Sequence, residues 1–413
     1  MKILWFTNNA VNFDKSAFGG GWMQCLESRL SAMPNIQLSI ATRVNSKVIQ
    51  KKCLNGTDYY LLPDRRSKLE KRVDLLLGRE PTSRWLEDNL RLIEEIDPDV
   101  IQVFGTEMDY GLICGNTKAP VVIHLQGILH PYYYQLTRVP ISLSERLLAQ
   151  GVTDYIKGNT LSKGLKIYKN KVEIENRIFN KCRNFIGRTD WDKGIANLFA
   201  PEANYFHCDE IISGEYLRAE WLGNNSQPLD IVSTISNPLY KGHDTLIATA
   251  EVLHKAGVDF RWHVIGLASN SSSYRFFYSN HLGSLKNKIK LHGRLTSKEI
   301  IEILKNAHLY VHPSHIENSS NSICEAMAVG MPVIALHVGG NASMINNDVD
   351  GLLVADNDPY ILARRILEIS SSPNYSRRLG RNAKTRATER HNADAIATSL
   401  IDIYKTLIVA NGK

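Results

Sequence analysis

Residues 317–330 read ENSSNSICEAMAVG, with carboxylates at Glu317 and Glu325 and only small polar or apolar groups between them. A pair of carboxylates first invites an acid/base reading, but the residues between argue for another one. Ser322 and Glu325 have capping-box spacing, so a helix is predicted to start at or near Ser322, with Glu325 capping it. Glu317 then precedes the helix, on the loop leaving a strand at 309–314. The open amides of residues 321–324 would attract phosphate through their N–H groups and the helix dipole. Small uncharged side chains let a phosphate approach. Glutamates inside such a pocket would repel it, whereas at its two edges they can accept hydrogen bonds from sugar and ribose hydroxyls. The pattern suits a diphosphate flanked by neutral polyols, that is, a nucleotide sugar. The E-x7-E spacing also arises by chance, so the elements that position it matter.

Strand-like and helix-like segments alternate along almost the whole chain, which implies a parallel α/β architecture. Strands are predicted at 2–6, 38–42, 99–105, 121–127, 184–189 and 203–208, and again at 230–236, 262–266, 289–293, 309–314 and 332–336. Helices are predicted at 23–33, 68–77, 84–96, 243–257, 297–308, 322–330, 359–370 and about 392–408, the last with no strand after it. Open α/β sheets bind ligands beyond the carboxyl ends of their strands, where several polar residues fall here. The Gly/Asn/Ser/Pro-rich stretch 221–230 reads as a linker. Two Rossmann-like doubly wound domains facing across a cleft are expected, at 1–225 and 226–390, followed by a terminal helix within 391–413.

At 413 residues, 43% hydrophobic and 22% charged, the chain has the composition of a soluble globular protein. The net charge of +7 suits an anionic ligand or surface without requiring one. Six scattered cysteines without a C-x-x-C pair argue against a zinc site and a disulfide framework, and favour a reducing compartment. The N-terminal MKILWF is strand-like and runs at once into polar residues, unlike a signal peptide, and no apolar run is long enough to cross a bilayer. A cytoplasmic location is expected, with nucleic acid not indicated as a partner. Residues 157–183 carry eight Lys/Arg against Glu173 and Glu175. The ordinary reading is a solvated helix face; the sharper one is a patch facing anionic lipid or a phosphate-bearing acceptor, with peripheral membrane contact.

HPSHIENSSNSICEAMAVGMPVIALHVGGNASMINNDVDGLLV (312–354) resembles the signature region of the family 4 retaining glycosyltransferases, which have the GT-B fold. YKGHDTLIATAEVL (240–253), WHVIG and LHGRLTSKEIIEILKNAHLYVHPS are similar to its flanks in the expected order. The GGGW loop (19–22) and GRTDWDKGIANLFAPEANYFHCDE (187–210) are similar to the branch that builds bacterial capsular and surface polysaccharides. The resemblance covers nearly the whole chain, is most specific in 230–354 and is weaker in 43–100.

The resemblance implies a role for each matching residue. Glu317 would hold donor-sugar hydroxyls, Glu325 would grip the ribose, and Asn321 and Ser322 would stand beside the diphosphate. Lys241 would neutralise the diphosphate leaving group; a cation at a helix start otherwise opposes the dipole. Gly20 and Gly21 would let acceptor and diphosphate approach the backbone, and His124 would lie near the sugar and reaction centre. Asn318, Gly266 and Ser236 complete the expected donor-binding set. One departure stands out: Thr234 or Ser236 occupies the place of the family's arginine before Lys241, which leaves Arg294 or Arg188 as a more distant replacement.

No metal site is expected. Asp-x-Asp at 97–99 reads as a turn feeding a strand, and at 190–192 as an acidic helix start. The resemblance implies retention of configuration, and no nucleophilic carboxylate of the retaining-glycosidase kind is evident. The expected activity is therefore same-face transfer of a sugar from a UDP- or GDP-sugar to a saccharide acceptor, lipid-linked in the family's surface-polysaccharide branch, with no cofactor. A sugar-nucleotide epimerase or phosphorylase of the same fold and a non-catalytic nucleotide-binding module are the alternatives.

Overall fold

The computed structural model describes residues 1–9, 21–46, 48–64, 66–77, 82–139, 150, 160–224, 226–268, 271, 273–278, 283 and 285–412. The chain divides into two compact units. The first comprises 1–133, 161–211 and 391–413, and the second comprises 134–160 and 212–390. The division after Ile211 lies upstream of the linker read at 221–230. The reason is packing: Ile212, Tyr216 and Trp221 are buried in the second unit's core, and Trp221 Nε1 donates to the Ala307 carbonyl at 2.7 Å.

The first unit is built on strands β1 (Lys2–Phe6), β2 (Gln37–Val44), β3 (Gln50–Leu54), β4 (Thr57–Pro63), β5 (Val100–Phe104), β6 (Val121–His124), β7 (Asn184–Gly187) and β8 (Asn204–His207). They lie in the order β3-β4-β2-β1-β5-β6-β7-β8. All neighbours are parallel except β3 and β4, which form an antiparallel hairpin. The hairpin was not expected, although Asn55-Gly56 between its strands adopts the positive φ of 50° and 82° that such turns favour. Strands such as KILWF are almost continuously buried because both faces of a parallel sheet are covered.

The second unit has strands β9 (Leu229–Thr234), β10 (Phe260–Ile265), β11 (Ile289–Gly293), β12 (Leu309–His312), β13 (Val333–Leu336) and β14 (Leu352–Val354). Their order, β11-β10-β9-β12-β13-β14, is the Rossmann order, so the topological switch point lies between β9 and β12. Both units are thus Rossmann-like α/β domains, their sheets parallel apart from the β3–β4 hairpin at one edge.

Six helices bear on the sites: α1 (Gly21–Ser31), α2 (Leu129–Arg138), α3 (Leu161–Lys181), α4 (His243–Lys255), α5 (Asn321–Val329) and α6 (Ala393–Ala410). Helix α6 buries Ile396, Ala397, Leu400, Ile403, Tyr404 and Leu407 in the first unit's core. Helix α3 buries Ile174, Glu175, Ile178 and Phe179, and leaves Lys166, Lys169, Arg177 and Lys181 exposed. Glu175 is therefore no part of a surface charge pattern: it turns inward and accepts from the Leu129 and His130 amides at 2.8 and 3.0 Å, capping α2. Lys157 lies outside the described residues. No helix among the described residues is long and apolar enough to cross a membrane. The cysteine expectation needs one correction, because Cys114 and Cys182 are joined by a disulfide. Their separation of 68 residues leaves no local signal.

Candidate active site

Lys241 and Glu317 leave the two strands that flank the second unit's switch point. After β9 the chain turns through Leu239–Lys241, and Gly242 takes a left-handed φ of 77° before α4 begins. A Cβ on Gly242 would stand 1.8 Å from the Pro313 carbonyl oxygen, so only glycine lets this turn pack on the loop after β12. On that loop the Glu317 carbonyl accepts from the Gly340 amide at 3.0 Å. Gly339, at φ 50°, would place a Cβ 1.9 Å from the same carbonyl oxygen. Two glycines in close backbone contact therefore hold Lys241 and Glu317 together.

Lys241 Nζ lies 2.5 Å from Glu317 Oε1, and His312 Nε2 lies 3.1 Å from the same oxygen. Burial alone would push the Glu317 pKa up. The Lys241 charge and the His312 hydrogen bond overcome it and bring the carboxyl down to about 2. His315, two residues before Glu317, bridges Asp356 through Nδ1 at 2.7 Å and Asp244 through Nε2 at 2.8 Å. Burial opposes its charge, but the hydrogen bonds its ring donates to these two carboxylates raise its pKa to about 10. As an imidazolium it ties the start of α4 to the loop bearing Glu317. His243 is held differently. Nε2 meets the Ser236 carbonyl at 3.0 Å, and burial lowers its pKa to about 4, which fixes the loop after β9 with a neutral ring.

Helix α5 begins at Asn321, one residue earlier than read, and its N-cap is Ser320, whose side chain makes no cap hydrogen bond. The predicted capping box is thus corrected. With Ser320 at the cap, Glu325 is the fifth helical residue and cannot reach back to the cap amide. Glu325 instead hydrogen-bonds Tyr216, and burial pushes its carboxyl up to about 7. Ser322 Oγ is 3.0 Å from Ser320 Oγ, so the Ser322 side chain is engaged at the helix mouth. The Cys324 amide donates to the Ser320 carbonyl at 3.1 Å, which leaves the amides of 321–323 as open donors by helix geometry. Asn321 Oδ1 is buried and has no partner among the described residues. Asn318 is buried on the loop between Glu317 and the helix.

The remaining expected residues are spread more widely. Gly266, at φ 97°, follows β10 and packs on Ile235. Ser236 and Arg294 are exposed at the ends of β9 and β11. Thr234, one candidate for the missing arginine's place, donates its amide to Tyr310 Oη at 3.3 Å. Arg188 is in the first unit, buried, with Nη2 3.4 Å from the Leu125 and Gln126 carbonyls and its guanidinium over Trp22. His124 ends β6 in the first unit, fully buried. Gly21 opens α1 with free space around its Cβ position, and Gly20 lies outside the described residues. In the Asp-x-Asp pairs, Asp192 caps its own helix with Thr189, and Asp99 accepts from the Lys2 amide at 2.8 Å.

Residues 222–386 match the family model described as glycosyl transferases group 1. The second unit carries a glycosyl transferases group 1 domain. Over 149 residues the chain is 28% identical to the putative colanic acid biosynthesis glycosyltransferase WcaL of Escherichia coli K12, covering 35% of this chain and 36% of that protein. The chain spans less than half the length of the first curated relatives it matches. Among solved structures, sucrose-phosphate synthase from Thermosynechococcus elongatus superposes with TM-score 0.74 at 17% identity, over 99% of both chains. Anabaena Alr3699/HepE in complex with UDP and glucose gives TM-score 0.64 at 15% identity, over 98% of this chain and 99% of that one. These likenesses show the fold across the whole chain.

In this group 1 domain, sequence reasoning missed His312, His315, Asp244, Asp356 and Tyr216. The histidines were visible in HPSHIE, three apart and just ahead of Glu317. Their carboxylate partners come from positions 41 and 71 residues away and had no local signal.

Proposed function

We propose that the chain is a retaining glycosyltransferase that moves a sugar from a UDP- or GDP-sugar to a saccharide acceptor, lipid-linked, in surface polysaccharide synthesis. The observation that carries this reading is the Lys241–Glu317 pair at the switch point, placed beside the open N-terminus of α5. Cleavage of the sugar C1–O bond develops positive character on the sugar and negative charge on the leaving diphosphate. Lys241 and the amides of 321–323 meet that negative charge, the term expected to dominate the rate. Glu317 orients donor hydroxyls and, held ionised, faces the developing positive charge. Glu325 takes the ribose, and His124 is assigned to the reacting sugar. Acceptor attack on the same face, with the leaving phosphate taking the hydroxyl proton, retains configuration without a covalent intermediate. The relatives named for colanic acid and amylovoran synthesis support the polysaccharide assignment, and the UDP complexes of Alr3699/HepE support a uridine donor.

The test is incubation of the full chain with UDP- and GDP-sugars, with and without lipid-linked saccharide acceptors, in chelator. The expected result is acceptor-dependent release of nucleoside diphosphate and a product of unchanged anomeric configuration. Epimerised sugar nucleotide formed without acceptor, or a trapped glycosyl-enzyme, would overturn it. Peripheral membrane contact through the exposed basic side of α3 predicts co-sedimentation with anionic vesicles that fades as salt rises.

A further inference from the structure

Four buried side chains of the first unit form one hydrogen-bonded line. Trp5 Nε1 donates to Tyr404 Oη at 2.9 Å, Tyr404 donates to Gln102 Oε1, and Gln102 Nε2 stands 3.1 Å from His124 Nδ1. Trp5, Gln102, His124 and Tyr404 are all fully buried. Trp5 and Gln102 are directly paired on β1 and β5, Gln102 pairs with Val122 on β6, and His124 is two residues beyond on the same face. Tyr404 reaches the line from α6, the helix that closes this unit's core.

The direction of each bond follows from its donors. An indole N–H can only donate, so the Tyr404 oxygen accepts and its single proton goes to Gln102. That fixes the amide oxygen toward Tyr404 and the amide NH2 toward His124. Nδ1 of His124 is then an acceptor. Burial, followed by the positive charge of Arg188, holds the ring pKa well below its ordinary value, so the ring carries one proton, and that proton sits on Nε2. The ring itself is clamped, stacked on Phe104 at 5.5 Å and met by the edge of Trp22 at 5.4 Å. Nε2 is buried and has no partner among the described residues. A buried donor left unmet is costly, and a fold that orients one so firmly at the carboxyl end of a parallel strand has prepared it for a ligand atom.

We infer that Tyr404, acting through Gln102, is a positioning residue that locks His124 in the Nε2–H tautomer, so that His124 donates a hydrogen bond to an oxygen of the bound sugar and does not act as a base. The inference rests on the proposed placement of His124 at the reacting sugar. Nitrogen-15 NMR of the histidines in the ligand-free full chain tests the tautomer apart from any activity. The wild type is expected to show His124 with Nε2 protonated and Nδ1 bare. Tyr404→Phe keeps the ring and its packing but removes the proton that orients Gln102. It is expected to mix the tautomers and lower kcat about tenfold, with donor KM changed less than about twofold. Gln102→Glu offers Nδ1 an acceptor and is expected to move the proton to Nδ1, with a larger loss of kcat. A wild-type proton on Nδ1, or a Tyr404→Phe chain whose tautomer is unchanged, overturns the inference. A shifted tautomer with undiminished transfer overturns the role at the sugar. Should the wild type transfer no sugar at all, the proposed function fails while the NMR result still decides the relay.

Discussion

Lys241 and Glu317 neutralise each other at 2.5 Å, with only 21% and 6% of their side chains exposed. In the proposed donor complex a diphosphate arriving at Lys241 would compete with Glu317 for the same ammonium, so the site would exchange one anion for another as it fills. Glu317→Gln removes the competitor together with the sugar contact. We expect kcat/KM to fall by about 10²–10³ while the protein stays folded. Lys241→Met should cost about 2 kcal/mol, less than the ~3–5 kcal/mol of a fully buried orphan because the lysine is partly solvated. The double variant should recover most of that loss, and urea unfolding of the four proteins measures the coupling.

Glu325 sets a pH dependence of the opposite sense to Glu317. Its folded pKa is raised to about 7, against an ordinary glutamate near 4.5. Between those values the unfolded chain gives up a proton that the folded chain keeps, so stability falls as pH rises from 4.5 to 7. Glu325→Gln should flatten that slope and raise the melting temperature above pH 7. Titration calorimetry tests the proposed ribose contact: exchanging the carboxylate for the weaker amide acceptor should weaken nucleotide-sugar affinity about tenfold.

His315 predicts a slope at alkaline pH. Its folded pKa of about 10 exceeds the ordinary 6.5, so its contribution is complete below pH 6.5 and is lost as pH rises through 10. Melting curves across pH 6–10 should show this loss in the wild type and a shallower one in His315→Gln. The variant should also be less stable at pH 6.5, because Asp244 and Asp356 lose their shared cation.

Gly242→Ala and Gly339→Ala each force a Cβ onto a carbonyl oxygen at less than 2 Å, in a backbone conformation that alanine disfavours. Each should cost about 2–4 kcal/mol or more and weaken nucleotide binding, since the strain falls on the loops that carry Lys241 and Glu317. Gly257→Ala is the control. It also has positive φ, but nothing lies within 4 Å of its Cβ, so it should cost only about 1 kcal/mol by chemical denaturation.

Much of this site was legible because its residues are local. Lys241-Gly242, Glu317 and the Asn/Ser run lie next to strand ends, and strand ends announce themselves through apolar runs that stop. What escaped the sequence was pairing across distance. Lys241 and Glu317 were assigned to leaving group and sugar, yet 76 residues of chain hide that they touch each other. The capping box failed because two serines, Ser320 and Ser322, compete for one helix start and only packing chooses between them. Strand β3 escaped because all five of its residues are exposed and lack the alternation that reveals a half-buried strand.

The hydrogen bond from Trp5 to Tyr404 joins residues 399 positions apart. A ribosome that has made the first strand must then make the whole of 212–390 before α6 exists. At cellular rates of synthesis this interval is on the order of ten to forty seconds. Through that time the apolar face awaiting α6 is open, and the second unit is complete before α6 is made. A chain that stops before α6 therefore holds the group 1 domain whole but leaves the apolar face of the first unit uncovered.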